Sequence, residues 1–140
     1  MSSNAVRTAV RARLAANWAT TPIYNVTNEF PNPTEEAAFV ALEFVGGFEE
    51  QASIGSPGSN VWRETGTFLI HILVPAGTGE STALGYADTI RTIFRGQQFS
   101  GVRCYAADPP ASGNGAGPID LDGNWYGVTV AVDYDYDLLG

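Results

Sequence analysis

The chain has 140 residues, a hydrophobic share of 44%, an aromatic share of 11% and a formal net charge of −8. This length predicts one domain over residues 1–140, and the composition is too apolar for a disordered chain. The single cysteine excludes an intrachain disulfide, the acidic balance disfavours binding to nucleic-acid phosphates, and no run approaches the roughly 18 apolar residues of a membrane span.

The first predicted element is an amphipathic helix. One apolar residue recurs every four positions and makes a stripe: Val6, Val10, Leu14 and Trp18. Arg7, Arg11 and Arg13 lie off this stripe, so the helix combines one apolar face with basic side chains. The proline at position 22 ends the helix, and residues 23–26 predict a short strand.

The next segment predicts three strands. After a proline-containing loop at residues 30–36, alternation predicts strands at 38–45 and 48–54, with Gly46-Gly47 as a break between them. Residues 55–60 form a glycine-rich loop, and residues 61–74 give the longest β-pattern. One face of this third strand consists of Phe68, Ile70, Ile72 and Val74.

The opposite face of the strand at 61–74 is only half polar, because Leu69, His71 and Leu73 alternate along it. A strand that is apolar on both faces needs cover on both faces. We expect a helix of the same chain on one side and another subunit on the other. Leu69, His71 and Leu73 are therefore candidate residues of a subunit interface.

A second helix and three further strands follow. Ser81 or Thr82 caps the helix, its inward residues lie between Leu84 and Phe94, and Gly96 is placed to end it. Strands are predicted at 99–105, 119–121 and 125–138, with a long loop at 108–118. The element order αββββαβββ predicts an α+β fold, in which a small antiparallel or mixed sheet is flanked by two helices.

Acidic residues alternate along the last strand. Asp133, Asp135 and Asp137 share one face, opposite a row of valines and tyrosines. On a straight strand such neighbours stand roughly 6.5–7 Å apart, which is too far to share one calcium ion. We interpret them as a solvated acidic face and predict no metal site.

Other candidate chemistry is also weak. Residues 73–82 resemble a phosphate-binding loop in layout, but Val74 occupies the place of the first glycine and Glu80 that of the lysine. His71 is the only histidine, and nothing near it in the sequence suggests a nucleophile. We therefore predict no catalytic residue, no cofactor and no enzymatic activity.

Three segments, taken in order, are similar to a known family. They are the opening helix at residues 5–18, the run WRETGTF at 62–68 leading into LVPAGTG at 73–79, and the strand GNWYGVTV at 123–130. Together they resemble the tail-terminator-like proteins of long-tailed bacteriophages, the group of the lambda tail terminator. The resemblance extends over nearly the whole chain, and no catalytic signature accompanies it.

The resemblance implies a structural protein of the virion. Such proteins form a ring, expected to be hexameric, that caps the tail tube, stops its polymerisation and joins the tail to the head or neck. The implied partners are further copies of the chain, the tail tube protein and the head or neck connector proteins. DNA would pass through without specific binding, no membrane is involved, and assembly would occur in the cytoplasm of the host bacterium.

Two hypotheses about residues follow from the charge pattern. Arg7, Arg11 or Arg13 of one subunit meets acidic residues of its neighbour in a head-to-tail contact. Asp133, Asp135 and Asp137 line the bore, where like charge keeps DNA from adhering. The nearest alternative is another neck or tail component, such as a head–tail completion protein or a tail tube subunit. A small-ligand binding module that uses Trp62, Trp125 and Tyr126 is a second alternative.

Overall fold

The computed structural model describes residues 4–21, 23–25, 38–75, 80–112 and 125–139. Its elements are α1 (Asn4–Asn17), β1 (Ile23–Asn25), β2 (Phe39–Gln51), β3 (Val61–Pro75), α2 (Glu80–Phe94), β4 (Gln98–Phe99), β5 (Val102–Ala107), β6 (Ala111–Ser112) and β7 (Trp125–Leu139). The predicted α+β class, with two helices on a mixed sheet, is confirmed. The single domain over residues 1–140 stays a prediction.

The strands form one sheet in the order β1-β2-β3-β7-β5-β4, and β6 pairs separately with β7. Only β1 and β2 are parallel, and the other neighbouring strands are antiparallel. The long strands β3 and β7 pair along their whole length, from Val61 opposite Leu139 to Pro75 opposite Trp125. These two strands therefore form the centre of the sheet, with chain segments on either side.

Both helices pack against the same face of the sheet. The predicted stripe of α1 is buried from Val6 to Trp18, and α2 buries Ala83, Ala87, Ile90 and Phe94. The Phe94 ring meets the Phe68 ring of β3 at a centroid distance of 5.2 Å. The alternating residues of β7 complete this core: Val128, Val130, Val132 and Tyr134. The 3.6-residue and two-residue periods of the sequence therefore identify the buried faces correctly.

The predicted break at Gly46-Gly47 is wrong, because β2 runs through it from Phe39 to Gln51. The pairing with β3 shifts register between Val45 and Gly47, which is a β-bulge. A bulge inserts one extra residue and lets pairing continue beyond it. Here it also changes the face pattern, since Val45 pairs with Thr67 and Phe48 with Thr65, on the same side of the sheet.

Two other local predictions need correction. A continuous strand at 99–105 is wrong, because Ser100 (φ 47°) and Gly101 (φ 84°) turn the chain between β4 and β5. The predicted loop at 108–118 contains the short strand β6, which pairs with β7. The predicted loop at 30–36, the phosphate-loop-like residues 76–79 and the strand at 119–121 lie outside the described residues.

Candidate interaction surface

The side of the sheet opposite the two helices is the candidate interaction surface, and we call it the helix-free face. It consists of alternate residues of the four longest strands: residues 39, 41, 43, 45 and 48 of β2, the odd positions 63–73 of β3 and 127–137 of β7, and Arg103 and Tyr105 of β5. One half, around His71 and Leu73, is buried, whereas the other half is partly open to solvent. Only the open half is therefore accessible to a partner.

His71 lies in the buried half and is fully enclosed. Its Nδ1 is 2.9 Å from the hydroxyl oxygen of Thr129, and its Nε2 is 2.8 Å from a carboxylate oxygen of Glu43. Both ring nitrogens are thus used in cross-strand hydrogen bonds. The histidine fastens β3 to its two neighbours, which is a structural role within the subunit.

The three interface candidates of β3 differ in accessibility. His71 and Leu73 are fully buried within the subunit, and Leu69 is half-buried. A direct subunit contact through this row would involve mainly Leu69. The interface assignment of Leu69, His71 and Leu73 stays a prediction.

An ion-pair network crosses the open half of the helix-free face. It consists of Arg63, Asp137, Arg103, Asp135 and Tyr105. Arg63 donates from Nε to Asp137 over 2.8 Å and from Nη2 over 3.2 Å, and Arg103 Nη2 donates to the same carboxylate over 3.0 Å. Arg103 Nε and the Tyr105 hydroxyl both donate to Asp135. The network joins β3, β7 and β5.

The network shifts the titration of its members. Hydrogen bonds from Arg63, supported by Arg103, lower the pKa of Asp137 to about 2. The bonds from Arg103 to Asp135 and Asp137 raise the pKa of the Arg103 guanidinium. The hydrogen bond to Asp135 raises the pKa of the Tyr105 hydroxyl. The Asp137 carboxylate is therefore ionised near pH 7, and the two arginines bonded to it balance its charge.

The predicted acidic row is therefore divided. Asp135 and Asp137 are paired with arginines, whereas Asp133 is exposed and accepts one hydrogen bond of 2.8 Å from the Thr67 hydroxyl. Sequence alternation placed the three on one face, and the structure confirms that placement. The bore-lining role of Asp133, Asp135 and Asp137 stays a prediction, to which only Asp133 would add uncompensated charge.

Exposed apolar side chains accompany the network. Phe48 is 63% exposed, Tyr105 52% and Val45 38%. Beside Phe48 lies a shallow groove of about 550 Å³, lined by Gly47, Phe48, Thr65, Gly66, Thr67 and Asp133. Sequence reasoning missed Phe48, because simple alternation does not survive the bulge. The glycine pair at 46–47 was the feature of the sequence that could have indicated the bulge.

The three arginines of α1 lie on the helical side and contact their own chain. Arg7 stands over the Phe44 ring at 4.9 Å, and Arg11 donates to the backbone carbonyl of Ile23 over 3.2 Å. Arg13 donates to the carbonyl of Ile93 through two nitrogens, at 3.2 and 3.1 Å. These contacts fix α1 on the sheet and on α2. A further role of Arg7, Arg11 and Arg13 between subunits stays a prediction.

Other reactive groups are enclosed or dispersed. Burial raises the pKa of the Cys104 thiol to about 12, which makes it a poor nucleophile. Within the described ranges, no three His, Cys, Asp or Glu residues come close enough to hold a metal ion. No helix in that part of the chain has the length and apolar character needed to cross a membrane. The open half of the helix-free face thus offers a docking partner exposed rings and the carboxylate of Asp133.

Two kinds of comparison with known proteins, with family models and with solved structures, give matches. A family model described as phage tail terminator protein matches residues 5–134. A solved structure of a protein without a functional name is similar, with a TM-score of 0.62, and the match covers 99% of this chain and 97% of the other. The two sequences are 21% identical, so this likeness shows a shared fold. No curated protein matches the chain.

Proposed function

The chain belongs to the phage tail terminator protein family, and from this membership we propose that it forms a ring that caps the tail tube and ends its growth. Its role is structural, in the tail of a bacteriophage. We propose six subunits per ring and no enzymatic activity. The finished ring would join the tail to the head or neck as part of the virion, after assembly in the cytoplasm of the host bacterium.

The observation that supports self-assembly is the open half of the helix-free face. It combines exposed aromatic rings, Phe48 and Tyr105, with an ion-pair network that holds the strands in place. Rigid aromatic side chains on a firm support are typical anchors of protein interfaces. A surface of this kind favours a protein partner over a small substrate.

The sheet also has two different edges, and these supply the two unlike surfaces that a head-to-tail ring needs. One edge is β2, where residues 43–51 pair with β3 and no described strand pairs with their other side. The opposite edge is formed by β4 and β5. Joining unlike edges gives a head-to-tail contact, and such contacts close into rings when the rotation between subunits permits.

Contacts with other phage proteins would use the ends of the subunit. The loop at residues 55–60 follows Ile54, which is 87% exposed at the tip of the β2–β3 hairpin. We propose this tip, and the loop that begins at residue 108, as contacts with the tail tube protein or with head and neck connector proteins. DNA would pass through the bore without specific binding, since the chain carries a net charge of −8.

The test is the native mass of the purified protein, followed by electron microscopy. We expect a closed ring whose mass is six times that of the 14.9 kDa subunit. Added to polymerising tail tube subunits, the ring should shorten the tubes in proportion to its concentration. A protein that stays monomeric up to about 100 µM would contradict the ring. Open tubes of the purified protein would favour the alternative, a tail tube subunit.

A further inference from the structure

Arg95 differs from the other six arginines of the chain. Arg7, Arg11, Arg13, Arg63, Arg91 and Arg103 each contact a carbonyl, a carboxylate or an aromatic ring of their own subunit. The exposed Arg95 side chain has no hydrogen bond, ion pair or ring contact with any described residue. Within the part of the chain that the structure describes, it is therefore the arginine side chain without an internal partner.

The backbone holds Arg95 in a fixed position at the end of α2. Its amide bonds to the carbonyl of Arg91, and Gly96, at φ 67°, ends the helix. The Gly96 amide then bonds to the carbonyl of Tyr105 over 3.0 Å, and the carbonyl of Gln97 accepts from the Cys104 amide over 2.9 Å. The helix end is thus tied to β5, so Arg95 is displayed from a rigid support at the β4–β5 edge.

The groove beside Phe48 lies at the opposite edge of the sheet and at the same level along the strands. Across the sheet the paired residues run from Phe48 through Thr65 and Asp135 to Arg103, and Arg103 pairs with Gln98 of β4. Arg95 is three residues before Gln98. Arg95 ends a helix on the other side of the sheet, so displacement alone would leave it on the wrong face. A neighbouring copy that is displaced laterally and also rotated about the strand direction, as successive copies around a ring are, would bring its Arg95 edge to the groove on the helix-free face.

The groove offers what a guanidinium requires. The Phe48 ring is 63% exposed, and Asp133 accepts a hydrogen bond from Thr67 on one carboxylate oxygen, with no described donor on the other. The chain already places arginines over phenylalanine rings twice, Arg7 over Phe44 at 4.9 Å and Arg13 over Phe99 at 5.5 Å. Such contacts between a cation and a ring are favourable, and more so when the interface excludes water.

We propose that Arg95 of one subunit enters the groove of the next copy, where its guanidinium lies over the Phe48 ring and pairs with the Asp133 carboxylate. This contact rests on the proposed ring, of which it is one head-to-tail interface. The proposed contact and the bore-lining role are alternatives for Asp133, because a carboxylate paired with an arginine presents little free charge to DNA.

The test compares charge variants by native mass measurement over a range of protein concentrations. Arg95→Glu should raise the concentration at which half of the subunits are assembled by at least about tenfold, and Phe48→Ala should act in the same direction. The exchange of both charges, Arg95→Glu with Asp133→Arg, should restore part of the assembly lost in Arg95→Glu, because it re-forms the charge pair but not the contact of the Arg95 guanidinium with the Phe48 ring. Asp88→Arg, which reverses an exposed charge about two helical turns before Arg95 on α2, is the control and should change little.

The thermal midpoint of each variant, measured where it is monomeric, separates assembly from folding. It should stay within a few degrees of the parent, because Arg95 and Asp133 are exposed. If the parent forms rings and Arg95→Glu forms them equally well, this contact is wrong and the proposed ring stands. If the double exchange assembles no better than Arg95→Glu, the pairing with Asp133 is wrong. Rings that are intact in Phe48→Ala but no longer bind tail tubes would assign the groove to the tube protein instead.

Discussion

Replacing Asp137 by Asn tests whether the ion-pair network stabilises the subunit. The Asp137 carboxylate receives Arg63 from β3 and Arg103 from β5, so the substitution removes the charge at the point where three strands meet. An amide of the same shape retains the packing and one acceptor oxygen. The decrease in the free energy of unfolding therefore measures the electrostatic contribution of the carboxylate.

The magnitude follows from the pKa. The network lowers the pKa of Asp137 from 3.8 to about 2, and at 1.36 kcal/mol per pKa unit the upper limit is about 2.5 kcal/mol. The side chain is 28% exposed, so screening by solvent reduces the expected loss to about 1 kcal/mol. Because the folded pKa is the lower one, this stability is present above pH 3.8 and disappears as the pH falls through 2. About half of it should remain at pH 3.

Urea unfolding at pH 7, 4 and 3, followed by tryptophan fluorescence at one protein concentration, measures the effect. The free energy of unfolding of Asp137→Asn should be lower than that of the parent by about 1 kcal/mol at pH 7, and the gap should narrow to about half at pH 3. Asp88→Asn is the control, since Asp88 is 70% exposed and lies 3.5 Å from Arg91, and it should cost under about 0.5 kcal/mol. A gap that is absent at pH 7, or equal at pH 7 and pH 3, would refute the reasoning.

Two further substitutions and one chemical reaction test the buried residues and the bulge of β2. Tyr134→Phe removes the hydroxyl that donates to the buried Glu64 over 2.7 Å, and it should lower the free energy of unfolding in urea by about 1–2 kcal/mol; an unchanged midpoint would contradict that bond. Cys104, with a pKa of about 12, should react with a thiol reagent at pH 8 at least about a hundredfold more slowly than after unfolding, and fast reaction of the folded protein would contradict its burial. Gly47→Ala places a Cβ 3.0 Å from the Thr65 carbonyl oxygen, so the thermal midpoint should fall by about 3 °C, as for a loss near 1 kcal/mol; a rise would show that the bulge can accommodate a methyl group.

The sequence alone was sufficient to predict which face of each long helix and strand is buried. In α1 the four-residue spacing marks a stripe that is buried from Val6 to Trp18, and in β7 alternation marks the row from Val128 to Tyr134. These patterns are read correctly because burial depends on local geometry with a fixed period. They settle which side of each element faces the core, and hence which side is left for the helix-free face.

The groove beside Phe48 and the ion-pair network could not be predicted from the periodicity of the sequence. The position of Phe48 depends on a bulge whose extra residue reverses the alternation within β2. The bond from Arg63 to Asp137 joins residues 74 positions apart, and it exists only because β3 and β7 are neighbours in this register. Local periods contain no information about strand order. The charge pattern directed attention to α1, whereas the arginine whose side chain contacts no other described residue is Arg95.

The apolar core is complete within one polypeptide, since both helices and the central strands contribute to a single cluster. We expect a chain of this kind to fold alone, in a step whose rate does not depend on the number of copies present. Joining the copies is then a separate event, and its rate rises with their number. Under the proposed scheme, finished subunits can accumulate in an infected cell before any tube exists, so the supply of tube ends determines when they are used.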